Sequence, residues 1–422
     1  MSMKHNNEET LVPRNDLVVQ PLPRTIEVGS PSRATRDAGA LVIGGDYRGL
    51  GIVRSLGRHG IPVWVMTDEH LIAATSRYCR RRITRPEVDE NQQVAFMLDL
   101  ADRYHLDGWT IFPTADDTAA LVSRHHELLA SRFILTTPPW KIMQWADDKR
   151  LTYSLAAKLG VSHPWTYSPK DRFDAAAVDC AFPVILKPAV RESANPFTYD
   201  KAWRVDSREE LLARYDEACG MIDPELIMLQ ELIPGGGECQ FSFAAVCKDG
   251  IPVASITARR TRQYPMDFGR SSSYVESIEL PEVEDASHLL LAALSLDGLV
   301  EIEFKLDQRD GSYKLLDINP RVWGWHTLGR KAGADFPYLE WQLVHDEPVA
   351  KSQGRPGVKW IRGVTDLPVA LREIRQKRLS LGSYLRSLRG SVEYAVLAAD
   401  DPVPALLEVP LVSYVAWKRW RG

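Results

Sequence analysis

Residues 299–321, LVEIEFKLDQRDGSYKLLDINPR, bring together side chains that could hold a metal and a phosphate. Alternating apolar residues flank Asp310-Gly311, a dipeptide that favours a tight turn between antiparallel strands. Side chains two apart share a strand face, which groups Glu301 with Glu303 and Asp317 with Asn319. A hairpin of this length sets Glu303 against Asp317 and Asn319. These hard oxygen ligands suit Mg²⁺ when the ion also holds phosphates. Pro320 ends the second strand, and Arg321 follows with a permanent positive charge. Any one of these acids alone reads as the wet face of an ordinary hairpin; the combination is more specific.

Other stretches supply partners for such a centre. FPVILKPA is an apolar strand closed by Lys187, whose stem is partly buried and whose head needs an anion or water. DDKRLTYSLAAKLG reads as a helix starting near Lys149. LIMLQELIPGGGECQFSF follows a helix over about residues 208–219 and is a strand entering a glycine-rich turn, with Glu231 and Glu238 at its two ends. QFSFAAVCKDG and IPVASITARRTRQYP form a second hairpin turned at Asp249-Gly250, ending in Arg259, Arg260 and Arg262. Arginines there would neutralise phosphate or grip a carboxylate. Arg259, which continues the strand alternation, is the first choice, ahead of Arg262 and Arg270. Ser271 to Ser273 read as a loop, flexible over substrate or plain.

The pattern E-I-E-F…D-G…D-I-N-P-R, with Lys187 and the segment from Glu231 to Glu238, resembles the ATP-grasp superfamily of ATP-dependent carboxylate–amine ligases and their relatives. The chain is similar to the D-aspartate-ligase-like and carbamoyl-phosphate-synthase-like members over about residues 40–343. The resemblance implies ATP held between two sheet-bearing lobes, with Mg²⁺, or Mn²⁺ in its place. Glu303, Asp317 and Asn319 would hold the metal, and Arg321, Arg259 and Asn319 would act on the reacting groups. Lys187 would contact the α-phosphate side. Backbone groups at Glu231, Leu232 and Ile233 would pair with the purine edge, and Glu238 would take the ribose hydroxyls. Lys149 either reaches a nucleotide phosphate or is a surface lysine at a helix start. The glycine-rich flap usual after the phosphate lysine is absent from AVRESANPFTYDKAWRV; Arg191, Ser193 and Asn195 could donate in its place. Residues 189–202 would then close over ATP. Trp323, Trp325 and His326 either line a substrate pocket or pack at a helix start.

The implied reaction transfers the γ-phosphoryl group of ATP to a carboxylate, and an amine then attacks the acyl phosphate. The alternatives are a carboxylase of the same fold acting on bicarbonate and a non-catalytic nucleotide-binding regulator. Small carboxylates and amines are the implied partners, and dimers are frequent in the family. No biotinylation-type M-K-M occurs in the chain.

The elements that must position these residues read as α/β. ALVIGG, DYRGLGIVRSLGRHG and PVWVMTDE open a β-α-β unit with Gly49 and Gly51 at its first turn. This is not G-x-G-x-x-G, so a dinucleotide enzyme using Asp68 on a ribose is a minor reading. RYCRRRITRP reads as a solvated loop holding Arg77, Arg80, Arg81, Arg82 and Arg85. A helix over residues 90–104, the strand GWTIFP, a helix over about 116–129 and the strand FILTTP continue a parallel sheet. FPTADD resembles the pre-grasp segment, so Thr114 and Asp116 border the substrate cleft or Asp116 caps a helix. The expected division is a tail over 1–38, a Rossmann-like domain over 39–140 and an ATP-grasp domain over 141–348. The last splits into a small lobe at 162–235 and a catalytic lobe at 236–348, and an extension covers 349–422.

Length, a net charge of −4 and 45% hydrophobic residues fit two or three globular domains and argue against a nucleic-acid binder. No stretch has the roughly 18 to 20 apolar residues of a membrane span. The N-terminus lacks a signal-peptide core. Five cysteines without a C-x-x-C pair fit reduced thiols in a cytoplasm. The ending VPLVSYVAWKRWRG is apolar, then cationic, and suits either a membrane surface or docking on the core.

Overall fold

A computed structural model describes residues 38–68, 70–190, 195–199, 202–264 and 271–421. Three sheets organise them. The first is parallel and contains β1 (Ala40–Ile43), β2 (Val63–Thr67), β3 (Cys79–Thr84), β4 (Thr110–Pro113) and β5 (Ile134–Leu135), ordered β3-β2-β1-β4-β5. Its central strands β1, β2 and β4 are short apolar runs, and amphipathic helices make the crossovers from β1 to β2 and from β3 to β4. The helix Glu90–Tyr104 lies where its periodicity predicts. The arginine run is not a loop: Cys79–Thr84 is the edge strand β3. Its exposed arginines discourage pairing with another chain, and Arg81 lies over the rings of Trp64 and Tyr104.

The second sheet is antiparallel, with β6 (Thr166–Tyr167), β7 (Val184–Pro188), β8 (Trp203–Val205) and β9 (Ile227–Glu231) in the order β6-β9-β7-β8. The helix Arg208–Cys219 covers it, starting at the Ser207 cap that accepts from Glu210 N. The third and largest sheet runs β14-β13-β10-β11-β12-β16-β17, with β15 beside β11. Its strands are β10 (Gln240–Lys248), β11 (Ile251–Tyr264), β12 (Ser271–Ile278), β13 (Gly298–Asp307), β14 (Ser312–Asn319), β15 (Ser352–Gln353), β16 (Lys359–Ile361) and β17 (Val392–Tyr394). Asp249 and Gly250 form the two-residue turn of β10–β11, both with positive φ, 51° and 74°, as a type I′ turn demands. Ser271 to Ser273 belong to β12 rather than to a loop. β16 and β17 carry this sheet past residue 348 into the extension.

The two faces of the third sheet bury different cores. Phe243, Ala245, Val300, Ile302 and Phe304 pack under the helix Pro281–Leu294. On the other face, Ala244, Val246, Ile256 and Leu299 join one core with Leu50 and Val53 of the N-terminal helix Tyr47–Arg58. Trp323, Trp325, Phe336, Trp360 and Val396 complete it. The N-terminal domain, third sheet and extension thus share one interior. Gly51 explains how closely they meet: a Cβ there would fall 2.3 Å from His326 Nε2. Likewise a Cβ on Gly49 would fall 2.1 Å from Gly44 O. These glycines serve close packing. Asp68 is exposed at the end of β2.

Candidate active site

The hairpin pairs Glu303 with Asp317 and Glu301 with Asn319. Asn319 Nδ2 also donates to Glu303 Oε1 at 3.3 Å. A bulge at Leu316 breaks the alternation, pairing Phe304 with Leu315 and Lys305 with Lys314. Asp317 and Lys314, three apart, therefore share a face. That face runs from Leu299 in the core through Glu301 and Glu303 to Lys305, whose Nζ donates to Ile233 O at 2.8 Å. One row of alternate side chains thus leads from the N-terminal domain to the turn after β9.

Cations converge on the two carboxylates. Lys149, first residue of the helix Lys149–Leu159, places Nζ 2.8 Å from Asp317 Oδ1. Its backbone N–H hangs from Ala189 O, just beyond β7. Burial opposes its charge, but Asp317 outweighs burial and raises its pKa. Arg260 Nη1 pairs with Glu303 Oε2, and its Nε donates to Ser272 Oγ at 2.8 Å. Arg321 pairs through Nε with Asp116 Oδ1, and its Nη2 reaches Asn319 Oδ1 at 3.3 Å. Glu301 is buried, accepts from Trp325 Nε1 at 2.8 Å and is pushed up to about 7 by burial and the Glu303 charge.

Strand register decides which arginine of β11 takes part. Ser242 pairs with both Glu303 and Ala258, so residue 258 and its second neighbour Arg260 lie on the carboxylate face. Arg259 pairs with Phe241 on the opposite side, is exposed, and donates to Glu238 O at 3.0 Å. Arg262 is also not brought to the centre; it forms a buried ion pair with Asp366. Both faces of β11 are largely buried, so alternation in the sequence could not separate these arginines.

The small lobe contributes Lys187, almost fully buried, with Nζ 3.3 Å from the Tyr153 hydroxyl. That hydroxyl lies 2.9 Å from Leu316 O in the hairpin bulge and 3.2 Å from Gln230 Oε1. Tyr153 therefore links the small lobe to the catalytic hairpin. The Glu231 side chain is already saturated: it accepts from Trp165 N–H and Lys314 Nζ on one oxygen and from Arg309 Nη2 on the other. Its backbone N–H donates to Trp165 O. Ile233 O is taken by Lys305, and Leu232 lies between them, half-buried. Glu238 is exposed and accepts from Gly236 N–H at 2.9 Å. Arg191, Ser193 and Arg270 lie outside the described residues.

The N-terminal domain closes the other side. Asp116 is the first residue of the helix Asp116–Arg124, at the carboxyl end of β4, where open α/β sheets gather ligands. Thr114 is buried and donates to Ile43 O. After β1, Asp46 caps the helix Tyr47–Arg58 and holds Arg48 through Nε and Nη2 at 2.9 and 2.7 Å. Arg48 lies close enough to feel Asp116, and its charge is felt by Arg321. Asp46 and Arg48 are a part of this centre that motif reading passes over; a charged pair at the first strand end of an open sheet is the signal for it. Trp323, Trp325 and His326 do not line the cleft. Each is at most 1% exposed, in the core beneath it. Burial lowers the His326 pKa to about 4, so the ring is neutral.

Two carboxylates, one amide oxygen and nearby cations fit Mg²⁺, which takes one or two protein carboxylates and fills its remaining positions with phosphate and water. Among the described residues no group of three or more His, Cys, Asp or Glu forms a self-contained metal cage. An ion held here would therefore need its nucleotide.

A family described as "ATP-grasp in the biosynthetic pathway with Ter operon" matches residues 225–364, a span that includes the whole hairpin. No curated protein matches the chain by sequence. Among solved structures, the L-amino acid ligase from Bacillus licheniformis aligns with TM-score 0.57 and 16% identity over 74% of this chain and 75% of its own. The biotin carboxylase domain of 2-oxoglutarate carboxylase from Hydrogenobacter thermophilus, solved with MgADP and bicarbonate, aligns with TM-score 0.59 and 16% identity over 76% and 73%. An N5-carboxyaminoimidazole ribonucleotide synthetase, solved with ADP, aligns with TM-score 0.58 and 11% identity over 84% and 86%. The chain shares the fold of these structures, a parallel-sheet domain leading into two further sheet-bearing lobes, and an ATP-grasp family model matches it across the carboxylate hairpin.

Proposed function

We propose that this protein is an ATP-dependent ligase that activates a substrate carboxylate as an acyl phosphate and joins it to an amine. The observation that carries the reading is the convergence of Lys149, Arg260 and Arg321, from three separate elements, on Glu303, Asp317 and Asn319. Bound Mg²⁺, or Mn²⁺, would bridge nucleotide phosphates and offset developing charge. Glu303, Asp317 and Asn319 would hold it. Lys187 and Lys149 would steady phosphate oxygens, and each already lies beside a polar partner it can leave without large movement. Arg260 and Arg321 would hold the substrate carboxylate in line and stabilise the acyl phosphate. Leu232 and the turn to Glu238 offer the base and ribose positions. Asp116, Asp46 and Arg48 face this centre from the N-terminal domain, where the substrate would enter.

Phosphate release from Mg-ATP, screened over amino acids and small carboxylates paired with amines, tests the reading. Release that needs both a carboxylate and an amine, with amide product by mass spectrometry, is expected. A second reading is a carboxylase, favoured by the alignment to a domain solved with bicarbonate. Phosphate release that needs bicarbonate and no amino acid would select it. Thermal stabilisation by NAD with none by Mg-ATP or Mg-ADP would overturn both.

A further inference from the structure

The extension differs in charge from the rest of the molecule. Residues 349–422 carry 13 Lys and Arg against 6 Asp and Glu, a net +7, while residues 1–348 are net −11. All six acids are committed to ion pairs: Asp366 with Arg262, Glu373 with Arg378, Glu393 with Arg330, Asp400 with Arg58, Asp401 with Arg54 and Glu408 with Arg362. Four of those arginines lie outside the extension, so its acids face the body of the protein. Its cations face outward: Arg372, Arg375, Lys377, Arg386 and Arg389 are all exposed.

Large apolar side chains share this outer surface. On the helix Gly363–Arg375, Leu367 and Leu371 stand one turn apart at 50% and 59% exposure, and Arg375 continues their stripe. On the helix Leu381–Ser387, Leu381 and Leu385 repeat the spacing, followed by Arg386 and Arg389. The terminal helix Val403–Arg421 meets the first of these where Glu408 pairs with Arg362. It exposes Leu406 at 75%, together with Val409, Tyr414 and Trp417, before the sequence turns to Lys418, Arg419 and Arg421. Single exposed leucines are ordinary; this many, interleaved with cations, are not.

We propose that the C-terminal extension seats the protein on an anionic lipid surface, its leucines and aromatics entering the headgroup boundary and its arginines and lysines meeting lipid phosphates. Charge complementarity selects this occupant. Nucleic acid would reward the cations and leave the leucines in water. A second copy meeting face to face would set +7 against +7. A cationic helix with an apolar stripe on an anionic bilayer satisfies both features. No helix among the described residues can cross the membrane, so the contact is peripheral. The inference does not depend on the ligase reading.

Sedimentation of the full chain with vesicles tests it, using phosphatidylcholine with and without about one third phosphatidylglycerol. Binding is expected only with the anionic lipid, and half-molar salt should weaken it strongly. Arg375→Gln with Arg386→Gln should weaken binding roughly fivefold for each charge removed. Leu371→Glu with Leu385→Glu should reduce it at least as much. Equal recovery on neutral vesicles, or none on either, overturns the proposal. So does binding that survives the leucine changes and is displaced by short RNA, which would make the surface a nucleic-acid one.

Discussion

One hairpin carries two ion-pair clusters, and they are built differently. Near its turn, Glu231, Asp307, Arg309 and Lys314 form a closed set. Both Glu231 oxygens accept from cations, and the buried Asp307 accepts from Arg309 and Lys314. At the other end, Glu303 pairs with Arg260 from β11 and Asp317 with Lys149 from a helix start, cations delivered from distant elements. The first cluster ties Glu231 at the end of β9 to the hairpin. The second joins β11 and the start of the helix Lys149–Leu159 to the hairpin. The source of the cations separates the two clusters: Arg309 and Lys314 belong to the hairpin itself, Arg260 and Lys149 do not.

The contrast can be tested most sharply at Asp317. Asp317→Ala should lower Mg-dependent turnover by about 10³-fold or more, with little change in thermal unfolding. Retained turnover would show that the open cluster is as structural as the closed one. The two arginines of β11 come next. Arg260→Ala should cost about 10²-fold in turnover, and Arg259→Ala, exposed on the opposite face, less than about fivefold. A reversed order, measured by phosphate release, would mean that the strand register does not decide their roles.

At the closed cluster the effect should move from activity to stability. Glu231→Gln removes the charge shared by Lys314 and Arg309, and denaturant unfolding should report a loss of about 1–2 kcal/mol while turnover changes little. The smallest effect is expected at Glu340, outside both clusters, with Oε2 unpaired and its pKa pushed up to about 8 by burial and then by Asp297. The folded protein holds this proton while the unfolded chain, with its ordinary value of 4.5, releases it. The group therefore makes stability fall as pH rises from about 4.5 to about 8, and adds no further slope above that. Glu340→Gln should flatten that decline in thermal unfolding measured across the window.

The pairing of the carboxylate hairpin was legible because its information is local. A turn dipeptide and a two-residue period fix which acids share a face, and Glu303 opposite Asp317 follows. The helices Glu90–Tyr104 and Arg208–Cys219 were legible for the same reason. The choice between Arg259 and Arg260 was not, because β11 is buried on both faces and only its register against β10 and β13 settles orientation. Arg48 was hidden, and so was the partner of Asp116, by distance along the chain: the pairing of Asp116 with Arg321 exists only once the N-terminal domain packs on the third sheet. The tryptophans after the hairpin fill that shared core, a placement that aromatic content alone could not distinguish from a pocket wall.

The strands β16 and β17 have a consequence for how this protein can be cut. β16 pairs with β12 and β17 with β16, so a chain ended at residue 348 would bare the backbone groups of Tyr274–Glu276 and remove Trp360 and Val396 from the common core. An uncovered strand of that kind recruits other chains. The extension is therefore no detachable appendix. It finishes the catalytic sheet, and any truncated or chimeric version that keeps residues 1–348 alone should be recovered as aggregate.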